Sequence, residues 1–292
     1  MALRFALLLL DLAAALQYRR SSFAVVSVCH NVTYCDVAHD NFKAYCDRHG
    51  YTLLFHDHSS SYSDRPVGWA KLRLVQNALK EFSFVFWMDA DSLFMNMNQT
   101  LAPLKPRGSK QLSMTGDKHC PNINSGHFLL KSGDWANKFL DEAWEVWPKP
   151  EGWVFEQASM LYLLTGKTEI CRVRATICCQ TTLVDEYDYR MPNEMNAYLD
   201  DFKPGDFILH FAGAVTKDKA KLMNSSAPQD SQNTSMFFDR SPLMRDWSPR
   251  TLMKAYASLA LSSAATSSLA ELASFHKEVE LELHQGSAPD DF

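Results

Sequence analysis

The run Phe84-Val85-Phe86-Trp87-Met88-Asp89-Ala90-Asp91 constrains this chain more than any other segment, because an apolar stretch ends abruptly in two carboxylates one residue apart. From Phe82 to Met88 the residues are apolar apart from Ser83. That is the pattern of a strand buried on both faces of a parallel or mixed sheet. In an extended chain, residues two apart point to the same side, roughly 6.5 to 7 Å apart at Cα. Continued as a strand, the segment would aim Asp89 and Asp91 at one hard cation, Mn2+ or Mg2+, of the kind that completes its shell with phosphate oxygens. A plain turn or a helix cap is the competing reading for such a pair.

The neighbouring segments predict an α/β fold. Phe23 to Cys29 is β-branched and apolar, a first strand. A helix starting at Asp36 or Asp40 should stop at Gly50, and Tyr51 to Phe55 reads as a second strand. Trp69 to Lys80 has apolar residues at helical spacing. Strand, helix, strand, helix, strand is the alternation that packs helices on the faces of a sheet, with ligands beyond the strand carboxyl ends, where the acidic pair lies. No GxxxxGK[ST] or GxGxxG loop follows these strands, so a bound nucleotide needs another anchor for its phosphates. Further on, His127 to Lys131 predicts a strand, while Gly133 to Trp147 and Phe155 to Leu164 predict helices. Phe207 to Phe211 predicts a short buried strand with His210 near its end. Ser248-Pro249 reads as a helix start, and Leu269, Leu272, Phe275, Val279 and Leu283 form one apolar stripe.

Composition narrows the function. A chain of 292 residues with 46% hydrophobic content can bury a large core, and a net charge of -5 gives no basic field for a nucleic-acid backbone. Residues 1–22 resemble a secretory signal peptide or a trimmed signal anchor, since Asp11 interrupts an apolar run that is short for a span of about 20 residues. Sequons at Asn31, Asn98, Asn224 and Asn233 fit a lumenal chain. The seven cysteines lack paired CxxC spacing, so zinc is not indicated, and in an oxidising compartment at least one would stay unpaired.

Four blocks, Gly68-Trp69-Ala70-Lys71-Leu72, Phe86-Trp87-Met88-Asp89-Ala90-Asp91-Ser92-Leu93-Phe94, Asn124-Ser125-Gly126-His127-Phe128-Leu129-Leu130 and His210-Phe211-Ala212-Gly213, occur in this order. Together they resemble glycosyltransferase family 34, which includes yeast α-galactosyltransferases, a mannan polymerase subunit and plant xyloglucan xylosyltransferases. The resemblance implies a GT-A fold with a Rossmann-like mixed central sheet and helices on both faces. It implies a catalytic domain over 23–222, followed by a polar linker at 223–248 and a C-terminal helix and tail at 249–292.

The resemblance also implies a retaining transfer of galactose, xylose or mannose from a nucleotide sugar to a glycan hydroxyl. UDP-sugar is favoured over GDP-sugar and Mn2+ over Mg2+, in the Golgi lumen or membrane, alone or in oligomers with other glycosyltransferases. Asp89, Asp91 and His210 would hold the metal, and Asp89, Asp91 and Gln157 would serve catalysis. Lys71, Asp89, Asn124, Ser125, Gly126, Glu156, Gly213 and Lys217 would bind the donor, and Trp147 or Trp153 would stack on the acceptor. Two departures stand out. Phe155-Glu156-Gln157 replaces an acidic pair followed by Gln, and Lys217 is displaced by about two positions from the diphosphate-contacting lysine of plant members, so Lys219 and Lys221 compete for that role. A non-catalytic subunit of the same fold is the alternative from another class. A two-metal phosphate-ester hydrolase would need further His and Asp clusters that are missing.

Overall fold

The computed structural model describes residues 23–57, 65–116, 123–146, 155–167, 184–212, 249–266 and 269–285. Strands β1 (Phe23–Cys29), β2 (Thr52–Asp57) and β3 (Phe84–Met88) run parallel with β1 between the other two. Helix α1 (Cys35–His49) joins β1 to β2. It stops where Gly50 takes φ 67°, a left-handed backbone that a residue without Cβ adopts at little cost. A 3-10 turn at Val67–Trp69 and helix α2 (Ala70–Ala78) lead into β3, so the helix predicted over Trp69 to Lys80 is tighter at its start and shorter at its end.

Beyond β3 follow β4 (Ser92–Phe94), β5 (Leu112–Met114), β6 (His127–Lys131), α3 (Asp134–Glu145) and α4 (Phe155–Leu164). After these come β7 (Tyr187–Tyr189), α5 (Pro192–Met195), β8 (Ala197–Tyr198), β9 (Ile208–His210), α6 (Pro249–Thr266) and α7 (Leu269–Gln285). The main sheet has the order β2-β1-β3-β6-β5-β7, with β6 antiparallel to both of its neighbours. A second sheet has the order β4-β9-β8. The expected mixed central sheet with helices on both faces is thus present.

The side-chain alternation of β3 explains its continuous apolar sequence. Val85 and Trp87 pack with α2, α3 and α4 on one face, while Phe86 and Met88 pack with α1, α6 and α7 on the other. Both faces are dry, so no position of the strand was available for a polar residue. The segment expected as a C-terminal helix and tail holds two helices, α6 and α7, and both enter the core through Met253, Tyr256, Leu272 and Val279. Leu269 does not join them, being 52% exposed at the first position of α7. Residues 1–22 and 223–248 lie outside the described residues. No described helix is long and apolar enough to cross a membrane.

Cys29 and Cys35 form a disulfide between the end of β1 and the start of α1, and Cys46 is a buried free thiol. Cys120, Cys171, Cys178 and Cys179 lie outside the described residues.

The edge strand β7 is fastened by a charge clamp. Asp188, 2% exposed, receives the Arg107 guanidinium at 2.7 Å and that of Arg190 at 3.0 Å. Burial alone would raise the Asp188 carboxyl, but the hydrogen bonds from Arg107 outweigh it and hold it below the usual carboxylate range. A carboxyl depressed in the folded state contributes stability above its unfolded value, near 4, and that contribution is lost as the pH falls through the folded value. Asp188→Asn is therefore expected to lower the melting temperature at pH 7, with the gap to the parent closing below about pH 4. A gap that persists unchanged into acid would show that the clamp is not electrostatic.

Candidate active site

The acidic pair leaves β3 rather than extending it. The strand ends at Met88, and Ala90-Asp91 form a turn into β4, so the two carboxylates do not share one face of a continuing strand as expected. They converge by another route. β4 pairs antiparallel with β9 so that Ser92 faces His210, and the Phe211 N–H donates to the Asp91 carbonyl at 2.8 Å. This brings His210 Nε2 to 3.2 Å from Asp91 Oδ1. One ligand atom from each of Asp89, Asp91 and His210 lies within 4.8 Å of the others. The two carboxylates are 30% and 31% exposed, open to a ligand, whereas His210 is buried.

Two observations test whether a divalent cation fits these residues. His210 Nε2 is buried with Asp91 Oδ1 3.2 Å away and no other polar partner among the described residues. On the other side of the ring, Nδ1 stands 2.6 Å from Asn196 Oδ1, and the same oxygen lies 2.9 Å from His127 Nδ1. With Nδ1 engaged by Asn196, Nε2 is the ring nitrogen turned toward the carboxylates and the one a cation could take, an arrangement typical of histidine ligands. A nitrogen and two carboxylates also form a donor set suited to Mn2+. The residues fit.

Asp89 is held by a different set of groups. The Trp87 indole N–H donates to Asp89 Oδ1 at 2.7 Å, and Lys71 Nζ lies 3.1 Å from the same oxygen. Lys71, which could have been a surface lysine, is 2% exposed. Its ammonium also meets Glu156 Oε1 at 2.8 Å and the Ser125 carbonyl at 3.1 Å, so its three N–H donors are all used. Desolvation would lower the Lys71 pKa, but Asp89 and Glu156 push it above the usual lysine range. Desolvation raises the Asp89 carboxyl despite Lys71, whereas His210 pulls Asp91 below the usual range against its own desolvation. The pair is thus electrostatically unequal, with Asp91 the readier anion.

The loop before β6 completes the site. The Asn124 side-chain oxygen accepts the Gly126 N–H at 2.8 Å, while its Nδ2 donates to the Tyr198 hydroxyl at 2.7 Å. Ser125 N–H donates to Gln157 Oε1 at 2.8 Å, and Ser125 Oγ to Glu156 Oε1 at 3.1 Å. Glu156, 6% exposed, therefore stands behind Lys71 and Ser125 rather than at the open face.

Gly126 is required by space. A Cβ there would lie 2.6 Å from His210 Cε1, 2.9 Å from Asn124 Oδ1 and 3.3 Å from Asp89 Oδ2. Gly126→Ala is expected to displace the His210 ring and weaken Mn2+ binding by about 10- to 100-fold, the range for disturbed metal surroundings. Titration of the ion into the variant, followed by calorimetry, measures this. Unchanged affinity would separate Gly126 from the histidine.

Lys71, Asp89, Asp91, Asn124, Ser125, Gly126, Glu156, Gln157 and His210 are all brought to one end of the sheet. Gly213, Lys217, Lys219, Lys221, Trp147 and Trp153 lie outside the described residues. Sequence reasoning missed Trp87, Asn196, Tyr198 and Tyr34. The Tyr34 hydroxyl is pushed above its ordinary pKa by burial and then by the charge of Asp91 and Asp89. Trp87 alone carried a signal, since a buried indole N–H seeks a partner and residues i and i+2 share a face.

A mixed α/β sheet with two acids and a histidine gathered beyond the carboxyl end of β3 defines the class, a glycosyltransferase domain of the GT-A type. The fold matches a crystal structure of a glycosyltransferase involved in the glycosylation of the major capsid of PBCV-1, with TM-score 0.54 and 14% identity over 69% of this chain and 98% of that one. The profile of the galactosyl transferase GMA12/MNN10 family matches residues 22–106 and 104–221, and the chain belongs to this family, glycosyltransferase family 34.

Its relatives include the probable alpha-1,6-mannosyltransferase MNN10 of Saccharomyces cerevisiae, 27% identical over 36% of this chain and 35% of that protein. A probable xyloglucan 6-xylosyltransferase of Oryza sativa is 33% identical over 37% of this chain and 26% of that protein. An uncharacterized alpha-1,2-galactosyltransferase of Schizosaccharomyces pombe is 24% identical over 59% and 54% of the two chains. The chain thus spans about half or less of the length of these relatives.

Proposed function

We propose that this chain is a retaining glycosyltransferase that moves a hexose or pentose from a UDP-sugar to a glycan hydroxyl in the secretory pathway, using Mn2+. The convergence of Asp89, Asp91 and His210 Nε2 carries this reading. These three residues would hold the cation, which when bound neutralises charge on the departing nucleoside diphosphate. Lys71 holds Asp89 in place through an ion pair, and Gly126 leaves room for the Asn124–Gly126 loop against His210 and Asp89. Asn124, Ser125 and Gln157 orient that sugar. Glu156 acts through Lys71 and Ser125, which already engage it.

A side chain so occupied and buried is a poor nucleophile, which favours displacement on one face of the sugar. The bond from the anomeric carbon to the diphosphate oxygen breaks as the acceptor oxygen bonds to that carbon, and the acceptor proton passes to the leaving diphosphate. Gly213 and Lys217 are proposed as further donor contacts. The disulfide between Cys29 and Cys35 favours an oxidising, lumenal setting.

The test is nucleotide release from UDP-galactose, UDP-xylose, UDP-glucose and GDP-mannose, with Mn2+ or with EDTA. Release is expected with at least one UDP-sugar, with glycan acceptor raising it and EDTA abolishing it. No Mn2+-dependent release from any donor, together with no donor-induced rise in melting temperature, would sink the enzyme reading in favour of a non-catalytic subunit.

A further inference from the structure

We propose that Asn98 carries an N-linked glycan and that Asn31, the other sequon among the described residues, stays bare. This rests on the secretory reading above. Both asparagines are exposed, so exposure alone does not separate them. Their positions relative to the site do.

Asn31 lies just past the carboxyl end of β1, within the loop closed by the Cys29–Cys35 disulfide, with φ 53°. β1 and β3 are parallel with Val26 opposite Trp87, so both strands end at the same edge of the sheet, the edge from which the site acids follow β3. A glycan on Asn31 would therefore rise from the rim at which a nucleotide sugar must enter. An active transferase needs that amide unmodified.

Asn98 stands at the other end of the domain. It follows β4, which runs away from Asp91, and lies in a turn where its N–H donates to the Asn96 side chain at 3.2 Å. It is tied to the carboxyl end of α1, where Arg48 donates to its side-chain oxygen and His49 Nε2 meets the Met97 carbonyl at 3.0 Å. Cys35, at the site end of α1, and His49 are separated by about 21 Å at a rise of about 1.5 Å per residue. A glycan there projects from a polar turn and obstructs nothing at the acidic pair.

The modification is a transfer from an oligosaccharide carried on a polyprenyl diphosphate, catalysed by the host's oligosaccharyltransferase. Asn98 Nδ2 bonds to the anomeric carbon, the bond from that carbon to the diphosphate oxygen breaks, and the amide proton is lost as the lipid diphosphate departs. Thr100 completes the sequon.

The test uses the full chain, secreted by or retained in the secretory pathway of a eukaryotic host. Treatment with a glycan-releasing amidase in heavy-oxygen water tags each formerly glycosylated asparagine as aspartate, and peptide mass spectrometry locates the tags. The tag is expected on Asn98 in most molecules and absent from Asn31, and Asn98→Gln should leave nucleotide release unchanged. A bare Asn98 with the Cys29–Cys35 disulfide intact in the non-reducing peptide map overturns the glycan proposal alone. A bare Asn98 with both cysteines reduced overturns the secretory reading along with it. A tag on Asn31 in active protein overturns the assignment of the rim.

Discussion

Asp91→Ala is expected to reduce Mn2+-dependent nucleotide release by about 1000-fold or more, roughly 4 kcal/mol of transition-state stabilisation, with only a small change in melting temperature. The two halves of this expectation come from different observations. Asp91 is the acid that His210 pulls below the usual range, so at neutral pH it is the anion on which a cation would depend most. It is also 31% exposed, and it is a like charge that raises the carboxyl of Asp89. Its loss removes a repulsion on Asp89 but also the pairing with His210, and it opens no cavity in the core, so the two effects largely offset and the change in stability is small. Calorimetric Mn2+ titration, donor turnover and thermal melts of the parent and variant measure all three quantities. Turnover within tenfold of the parent, or unchanged Mn2+ affinity, would remove the metal assignment. A large fall in melting temperature would instead make Asp91 a structural residue.

The parts of this site that could be read from the sequence are those whose signal is local. Phe84 to Met88 is apolar without alternation because both of its faces are buried, and the acids that follow interrupt that pattern visibly. The local pattern placed His210 at the end of a buried strand, but only the family resemblance put it with Asp91, because its neighbour depends on pairing with β4. That strand is three residues long and β8 is two, too short for any period to emerge; pairing within the small sheet makes them strands. Asn196 was illegible for a related reason. It lies in a polar stretch that reads as a loop, and only the fold buries it to 1% between two imidazoles. The same holds for Lys71. Its helical register was visible, but its partners come from β3, the loop before β6, and α4, brought together by the sheet order.

Lys71→Met should therefore cost more stability than any other single change at the site. The ammonium lies between Asp89 and Glu156, and removing it leaves Glu156, 6% exposed, with its charge uncompensated beside a partly buried second carboxylate. Breaking a buried pair by deleting one partner costs about 3–5 kcal/mol, which for a domain of this size is about 10 °C in melting temperature. Glu156→Gln should cost less, because Lys71 keeps Asp89 and the amide oxygen can still accept from Ser125. The double change distinguishes charge from packing. If the loss in Lys71→Met arises from the stranded Glu156 carboxylate, adding Glu156→Gln should recover part of the melting temperature, a coupling that a double-mutant cycle reads directly. If the two losses simply add, Lys71 acts by filling space over Trp87, 5.4 Å away, and the ionic hub is not what holds Asp89 in place. Recovery of stability in the double variant with Mn2+-dependent release still depressed is the expected outcome, since Asp89 would have lost the ammonium that fixes it and opposes the rise of its carboxyl.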